Sequence, residues 1–165
     1  MTTVLGIDPG LATTGFGIIC ADGSRIRCVD YGVIRTDSAM AMGDRLEILY
    51  DGVRSVIDAH NPSQAGIESL FFAKNVTSAL PVAKAMGVVL LALSQAGIPV
   101  SEYGPRQIKQ AIVGQGHAEK EQVQELLRVL LGMKDVPTPD HAADALAAAV
   151  CHRNTAVVVA RTLGR

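Results

Sequence analysis

The segment Val4-Leu-Gly-Ile-Asp-Pro-Gly10 constrains the fold of this chain more than any other. Strand-compatible residues run into an acid and then into Pro-Gly, and a second apolar run follows from Thr14 to Cys20. The pattern reads as a buried strand ending in a carboxylate, a tight turn and a return strand. Aspartate is depleted in strands, and a buried carboxylate without a partner is costly. Asp8 therefore needs a partner, unless it plays the ordinary part of a turn residue, for which Asp-Pro-Gly is well suited.

The rest of the chain alternates in a way that extends this start. Three consecutive strands are expected over Thr3–Asp8, Thr14–Ala21 and Arg25–Thr36, the last two joined through Asp22-Gly23, a strong hairpin signal. From Met42 to His60 apolar residues recur at helical spacing, and Asn61-Pro62 stops the helix. A short strand over Gln64–Glu68, a long helix over Thr77–Ala96 ended by Gly97, and a strand over Ile98–Tyr103 follow. Helices are expected over Pro105–Val113, Ala118–Leu131 and Pro139–Asn154. This order describes an α/β domain: a mixed five-stranded sheet, three antiparallel strands then parallel ones, flanked by helices.

Composition narrows the class. A chain of 165 residues, 48% hydrophobic and 19% charged, has material for one core and is not disordered. A net charge of −1 argues against a general nucleic-acid coat but allows a local basic groove within a Debye length of about 8–10 Å. Cys20, Cys28 and Cys151 are odd in number and lack ligand spacing, which points to reduced thiols. The chain runs straight into a strand with no leader to remove, so a soluble, cytoplasmic protein is expected.

The helix Thr77–Ala96 has little polar face. Its unbroken apolar run, Ala85–Leu93, is far shorter than the roughly 20 residues a membrane span needs, and Pro81 and Lys84 also argue against one. A helix apolar all round must be covered on both sides. The sheet is expected on one side, and on the other a second copy of the chain or else cover within the monomer.

Acids recur at the ends of apolar elements. Glu68 closes Gly66-Ile67-Glu68, and the last helix opens Pro139-Asp140-His141-Ala142-Ala143-Asp144 among alanines that let it lie close to a sheet. His141 and Asp144 share one helical face, whereas Asp140 is about 100° away and reads as an ordinary cap. Asp144 is a turn further in, where capping does not explain it. If Asp8, Glu68 and Asp144 meet, they repel one another unless cations lie between them, and hard oxygen ligands suit Mg²⁺ or Mn²⁺. Two such ions serve phosphodiester hydrolysis. Gly114-Gln-Gly116-His-Ala-Glu-Lys120 departs from the phosphate-loop pattern and has no strand leading in, so a loop before a helix is expected. His60, His117 and His152 have no ligand-like partners in the sequence and are left as surface or core residues.

Four segments, in order and with matching gaps, resemble the RuvC family of bacterial Holliday junction resolvases within the RNase H-like superfamily. They are Gly6-Ile-Asp8-Pro-Gly10, Glu68-Ser-Leu-Phe71-Phe72-Ala-Lys74-Asn75, Arg106-Gln-Ile-Lys109-Gln through Lys120, and His141-Ala-Ala-Asp144-Ala-Leu146. The resemblance implies an RNase H-like fold over residues 1–154, with 155–165 as a C-terminal tail. It implies a homodimer, for which the apolar helix 77–96 is the expected contact, and metal-dependent nicking of two opposed strands of a four-way DNA junction. By position, Asp8, Glu68 and Asp144 correspond to the family's metal-binding catalytic carboxylates, with two Mg²⁺ ions, or Mn²⁺, per site. The fourth site residue of the family is often an Asp. Here His141 stands in that position, as in some members, and a neutral imidazole can bind a metal or hydrogen-bond water or phosphate.

The same resemblance gives DNA-binding roles to Phe71, Phe72, Lys74, Arg106, Lys109 and Lys120. One phenylalanine closes a local core, and the other, Phe71, wedges against an unstacked base, a contact worth about 1–3 kcal/mol. RuvA and RuvB are the partners that the family implies. Two other readings stay open at this point: a related RNase H-like nuclease acting on RNA or duplex DNA, and a junction-binding protein without catalysis.

Overall fold

The computed structural model of the chain describes residues 1–69, 76–114 and 119–162, with the backbone alone for 76–78 and 157–162. Five strands and five helices follow one another: β1 (Thr2–Asp8), β2 (Thr13–Asp22), β3 (Arg25–Arg35), α1 (Met42–His60), β4 (Gln64–Glu68), α2 (Val76–Gln95), β5 (Val100–Tyr103), α3 (Pro105–Val113), α4 (Lys120–Leu130) and α5 (Asp140–Thr162). The strands form one sheet in the order β3-β2-β1-β4-β5. β1, β2 and β3 are antiparallel, whereas β4 runs parallel to β1 and β5 parallel to β4. This is the mixed sheet that the sequence predicts.

Differences at element ends have local causes. β5 starts at Val100 rather than Ile98, because the Ile98 N–H closes the end of α2 by donating to the Leu93 carbonyl at 3.0 Å. The Gly97 N–H bonds Ser94 at 3.0 Å, and Gly97 takes a φ of 69°, so the pair forms the two-bond cap that a left-handed residue allows. α5 runs on to Thr162, well past Asn154, with no break of secondary structure at residue 155.

Alternation along the strands assigns the two faces. Leu5, Ile7, Ile18 and Ile67 point to one face and are covered by α1 and α2. Val4 and Ile19 point to the other, under α3, α4 and α5. On α2 the inward residues Ala85, Met86, Val89, Ala92 and Leu93 are buried, while Leu80 and Leu91 remain 56% and 51% exposed. With Lys84 and Gly87, both exposed, these leucines form one stripe that the described part of the monomer leaves uncovered. Among the described residues no helix is long and apolar enough to cross a membrane.

The helix that matters most for the site is α5. Every residue from Ala142 to Cys151 is buried except Asp144. The helix lies on glycines of three adjacent strands: Gly15 and Gly17 of β2, Gly6 of β1 and Gly66 of β4. A Cβ at Gly6 would stand 1.9 Å from the carbonyl oxygen of Ala145, and one at Gly15 would stand 1.8 Å from that of His141. Alanine on the helix and glycine on the sheet thus bring two backbones into direct contact. Further along, buried His152 spans from α5 to the sheet: the Tyr103 hydroxyl donates to its Nδ1 at 3.0 Å, and its Nε2 donates to Gln64 Oε1 at 2.8 Å. His60 lies 2.9 Å from Asp30, and the three cysteines are free thiols.

This seating is testable at Gly15, whose backbone needs no left-handed conformation and whose substitution is therefore steric alone. Gly15→Ala should lower stability by about 3 kcal/mol, the upper range for overpacking a core. Urea unfolding reads this as a lower midpoint at unchanged slope, and an unaltered midpoint would contradict the close seating.

Candidate active site

Three elements converge at one end of the sheet. Asp8 closes β1 and Glu68 closes β4, and the parallel register that pairs Ile7 with Ile67 sets these two acids side by side. In the antiparallel register Asp8 faces Gly15 of β2. Because Gly15 has no side chain, the His141 backbone rests there, and the imidazole of the same residue reaches Asp8. His141 Nδ1 donates to Asp8 Oδ2 at 2.6 Å. Asp144, one turn on, is the only residue of the α5 inner run that is not fully buried. The fold therefore gathers all four predicted groups, two from strand ends and two from the start of one helix.

Burial raises all three acids, and repulsion adds to it at Glu68 and Asp144. Burial is the first cause for Glu68, whose carboxyl is pushed up to about 7, with Asp8 and Asp144 adding repulsion and Lys109 opposing. Asp144 is raised by burial and then by Asp8. Asp8 is raised by burial too, against the pull of its hydrogen bond to His141.

Beside the acids a cleft of about 240 Å³ opens between α3, α4 and α5. Glu68 and Asp144 line its acidic side, Lys109 and Lys120 its basic side, and Ile108, Val123 and Leu127 its floor. Of the predicted phosphate contacts, Lys109 and Lys120 face this cleft, whereas Arg106 is exposed on α3 outside its lining. Phe71, Phe72 and Lys74 lie outside the described residues. Asp140 differs from the expected cap. It pairs instead with α4, Lys120 Nζ lying 2.7 Å from Oδ2 and Gln124 Nε2 donating to Oδ1 at 3.2 Å. That link depends on α4 lying beside the start of α5, and the only sequence trace of it is the helical spacing of Lys120 and Gln124.

The family profile described as crossover junction endodeoxyribonuclease RuvC matches residues 4–152, nearly the whole chain. The chain belongs to the RuvC family. Its RuvC relative from Treponema denticola is 53% identical over 151 residues, covering 92% of this chain and 85% of that one. The RuvC of Chloroflexus aggregans is 52% identical over 157 residues, covering 95% and 96%. Among solved structures, Thermus thermophilus RuvC in complex with a Holliday junction substrate superposes with a TM-score of 0.91 at 36% identity, over 96% of each chain. The fold is accordingly the RNase H-like one expected from the sequence.

RuvC nucleases are metal-dependent. The donor set fits such a cation in its chemistry: hard carboxylate oxygens, raised by burial first and, at Glu68 and Asp144, by neighbouring acids, whose repulsion a divalent ion removes. Among the described residues no three His, Cys, Asp or Glu side chains stand close enough to enclose an ion.

The raised Glu68 makes a stability prediction. As pH rises from about 4.5 the unfolded chain releases this proton first, while the folded chain holds it until about 7. Without divalent ions the fold therefore loses stability across that window, and the loss is complete above it. Glu68→Gln should recover on the order of 2 kcal/mol at pH 8 and nothing at pH 4. Thermal unfolding in chelator at both pH values checks this, and an equal shift at the two would exclude it.

Proposed function

We propose that the acidic end of the sheet hydrolyses phosphodiesters in two opposed strands of a four-way DNA junction. The chain is a Holliday junction resolvase of the crossover junction endodeoxyribonuclease class. The observation that carries the site assignment is the bond from His141 to Asp8 at the point where β1 and β4 end together. Neither an RNA-directed nuclease nor a binding protein without catalysis is favoured, since the family profile and the relatives at about half identity are crossover junction endonucleases.

Asp8, Glu68, Asp144 and His141 are the groups suited to hold two divalent ions, Mg²⁺ or Mn²⁺, which when bound activate water for attack on phosphorus and neutralise the leaving oxygen. The chain's own groups do the rest. Lys109 and Lys120 seat the strand by its phosphates in the cleft beside the acids. His141 fixes the orientation of Asp8 through their hydrogen bond, so that the other Asp8 oxygen stays directed at the site. Arg106 on α3 extends the basic surface outward. Phe71, Phe72 and Lys74 are assigned to the junction by their motif, Phe71 as the stacking wedge.

Paired nicks require two sites. The stripe of Leu80, Lys84, Gly87 and Leu91 on α2, left uncovered by the described residues, supports a homodimer through this helix, because exposed leucines on one helix face suit a second copy. RuvA and RuvB are proposed to work alongside, in the cytoplasm.

A labelled synthetic four-way junction with Mg²⁺ or Mn²⁺ tests the reading, with duplex and single strand as controls. Symmetric nicks in opposed strands of the junction are expected. Asp8→Asn should abolish cutting while junction affinity stays within about twofold, since one lost site charge leaves the phosphate contacts in place. Retained cutting would remove Asp8 from the mechanism.

A further inference from the structure

Asp140 opens α5, yet its carboxylate serves α4. One oxygen takes the Lys120 ammonium at 2.7 Å and the other accepts from the Gln124 amide at 3.2 Å. Lys120 and Gln124 are one turn apart on one face of α4, and both line the cleft that Glu68 and Asp144 border. The ion pair is open to water, with 47% of the Lys120 side chain and 64% of the Asp140 side chain exposed, so it is readily exchanged for another partner. If Lys120 left, Asp140 would still keep Gln124. A carboxylate and a phosphodiester offer an ammonium the same kind of oxyanion. This lysine is also the group that the resolvase reading gives to the DNA backbone, and the inference rests on that reading.

We propose that Asp140 is a built-in competitor for the DNA phosphate at Lys120. Its carboxylate holds the ammonium at the mouth of the cleft in the free protein and yields it when a strand enters. Asp140 is a positioning residue, touching neither the acids nor the scissile bond. Binding then releases less salt than the number of phosphates contacted implies, because the freed carboxylate draws a cation from solution. Asp140 thus weakens junction binding and flattens its salt dependence.

The test is the anisotropy of a labelled four-way junction, in chelator and across a potassium chloride series, for wild type, Asp140→Asn, Lys120→Ala and the double variant. Asp140→Asn should bind about two- to fivefold tighter at low salt, a gain of the size an exposed pair carries. Its slope of log affinity on log salt should steepen by up to about 0.9, one phosphate's worth on duplex arms. Both changes should vanish in the Lys120→Ala background. Asp140→Glu should behave as wild type, and Asp140→Ser should repeat the Asn result, with thermal melts confirming that each is folded. No change on Asp140→Asn overturns the proposal. So does equal tightening with Lys120 absent, which would mean only that a negative charge had been removed near DNA. A wild-type chain that binds the junction but does not cut it in Mg²⁺ overturns the resolvase reading while the cycle still decides the role of Asp140. A chain that does not bind the junction overturns both.

Discussion

The contact of α5 with bare glycine backbone is what the rest of this molecule depends on. Any side chain at Gly6 or Gly15 would hold the helix off the sheet by the width of a methyl group, since the nearest carbonyl oxygens stand under 2 Å from where a Cβ would be. Alanines on the helix complete the fit, with Ala142, Ala145 and Ala149 buried against the strands. The consequence at the site is direct. The His141 backbone sits over Gly15, and Gly15 is the register partner of Asp8, so a short imidazole spans the gap to the carboxylate. Functional groups carried by strand ends and a helix start are held more firmly than groups on loops.

That firmness opposes the electrostatics it imposes. Buried acids that face one another are raised, Glu68 to about 7, and at neutral pH their charge works against folding. The apolar contact of α5 offsets this, and cations would remove it. The arrangement is therefore one in which apolar burial sustains a charge cluster suited to metal-dependent chemistry. Lys109 and Lys120 moderate the cluster from the cleft, Lys109 acting on Glu68 and Lys120 on Asp8 and Asp144. The stripe on α2 lies on the opposite face of the sheet from α5.

Much of this was legible where residues carry their own punctuation. Asn61 ends α1 in the left-handed region with a φ of 45°, and Gly97 ends α2 in the same region. Asp22-Gly23 makes the hairpin, with Gly23 at a φ of 57°. The acids were legible because a carboxylate at the end of an apolar run has few explanations. The glycines were not, because each taken alone passes for a loose strand residue. Their common role emerges only when three strands are aligned and a helix is laid across them. The pairing of Asp140 is hidden for a similar reason: a capping site is local, whereas its partner comes from another helix. Sequence leaves His152 open between surface and core, and its bonds to Tyr103 and Gln64 are hidden because those residues lie far away along the chain. The length of α5 beyond Asn154 also escaped, since no break or cap residue marks a stop there.

The claim that the fold gathers distant acids to hold divalent ions is tested most directly by anomalous diffraction from crystals soaked in Mn²⁺. The expected result is density beside β1 and α5 together, with oxygens of both Asp8 and Asp144 at coordination distance, about 2.0–2.3 Å, from the ions. Ions bound only elsewhere, with Asp8 and Asp144 free of them and still apart, would contradict it.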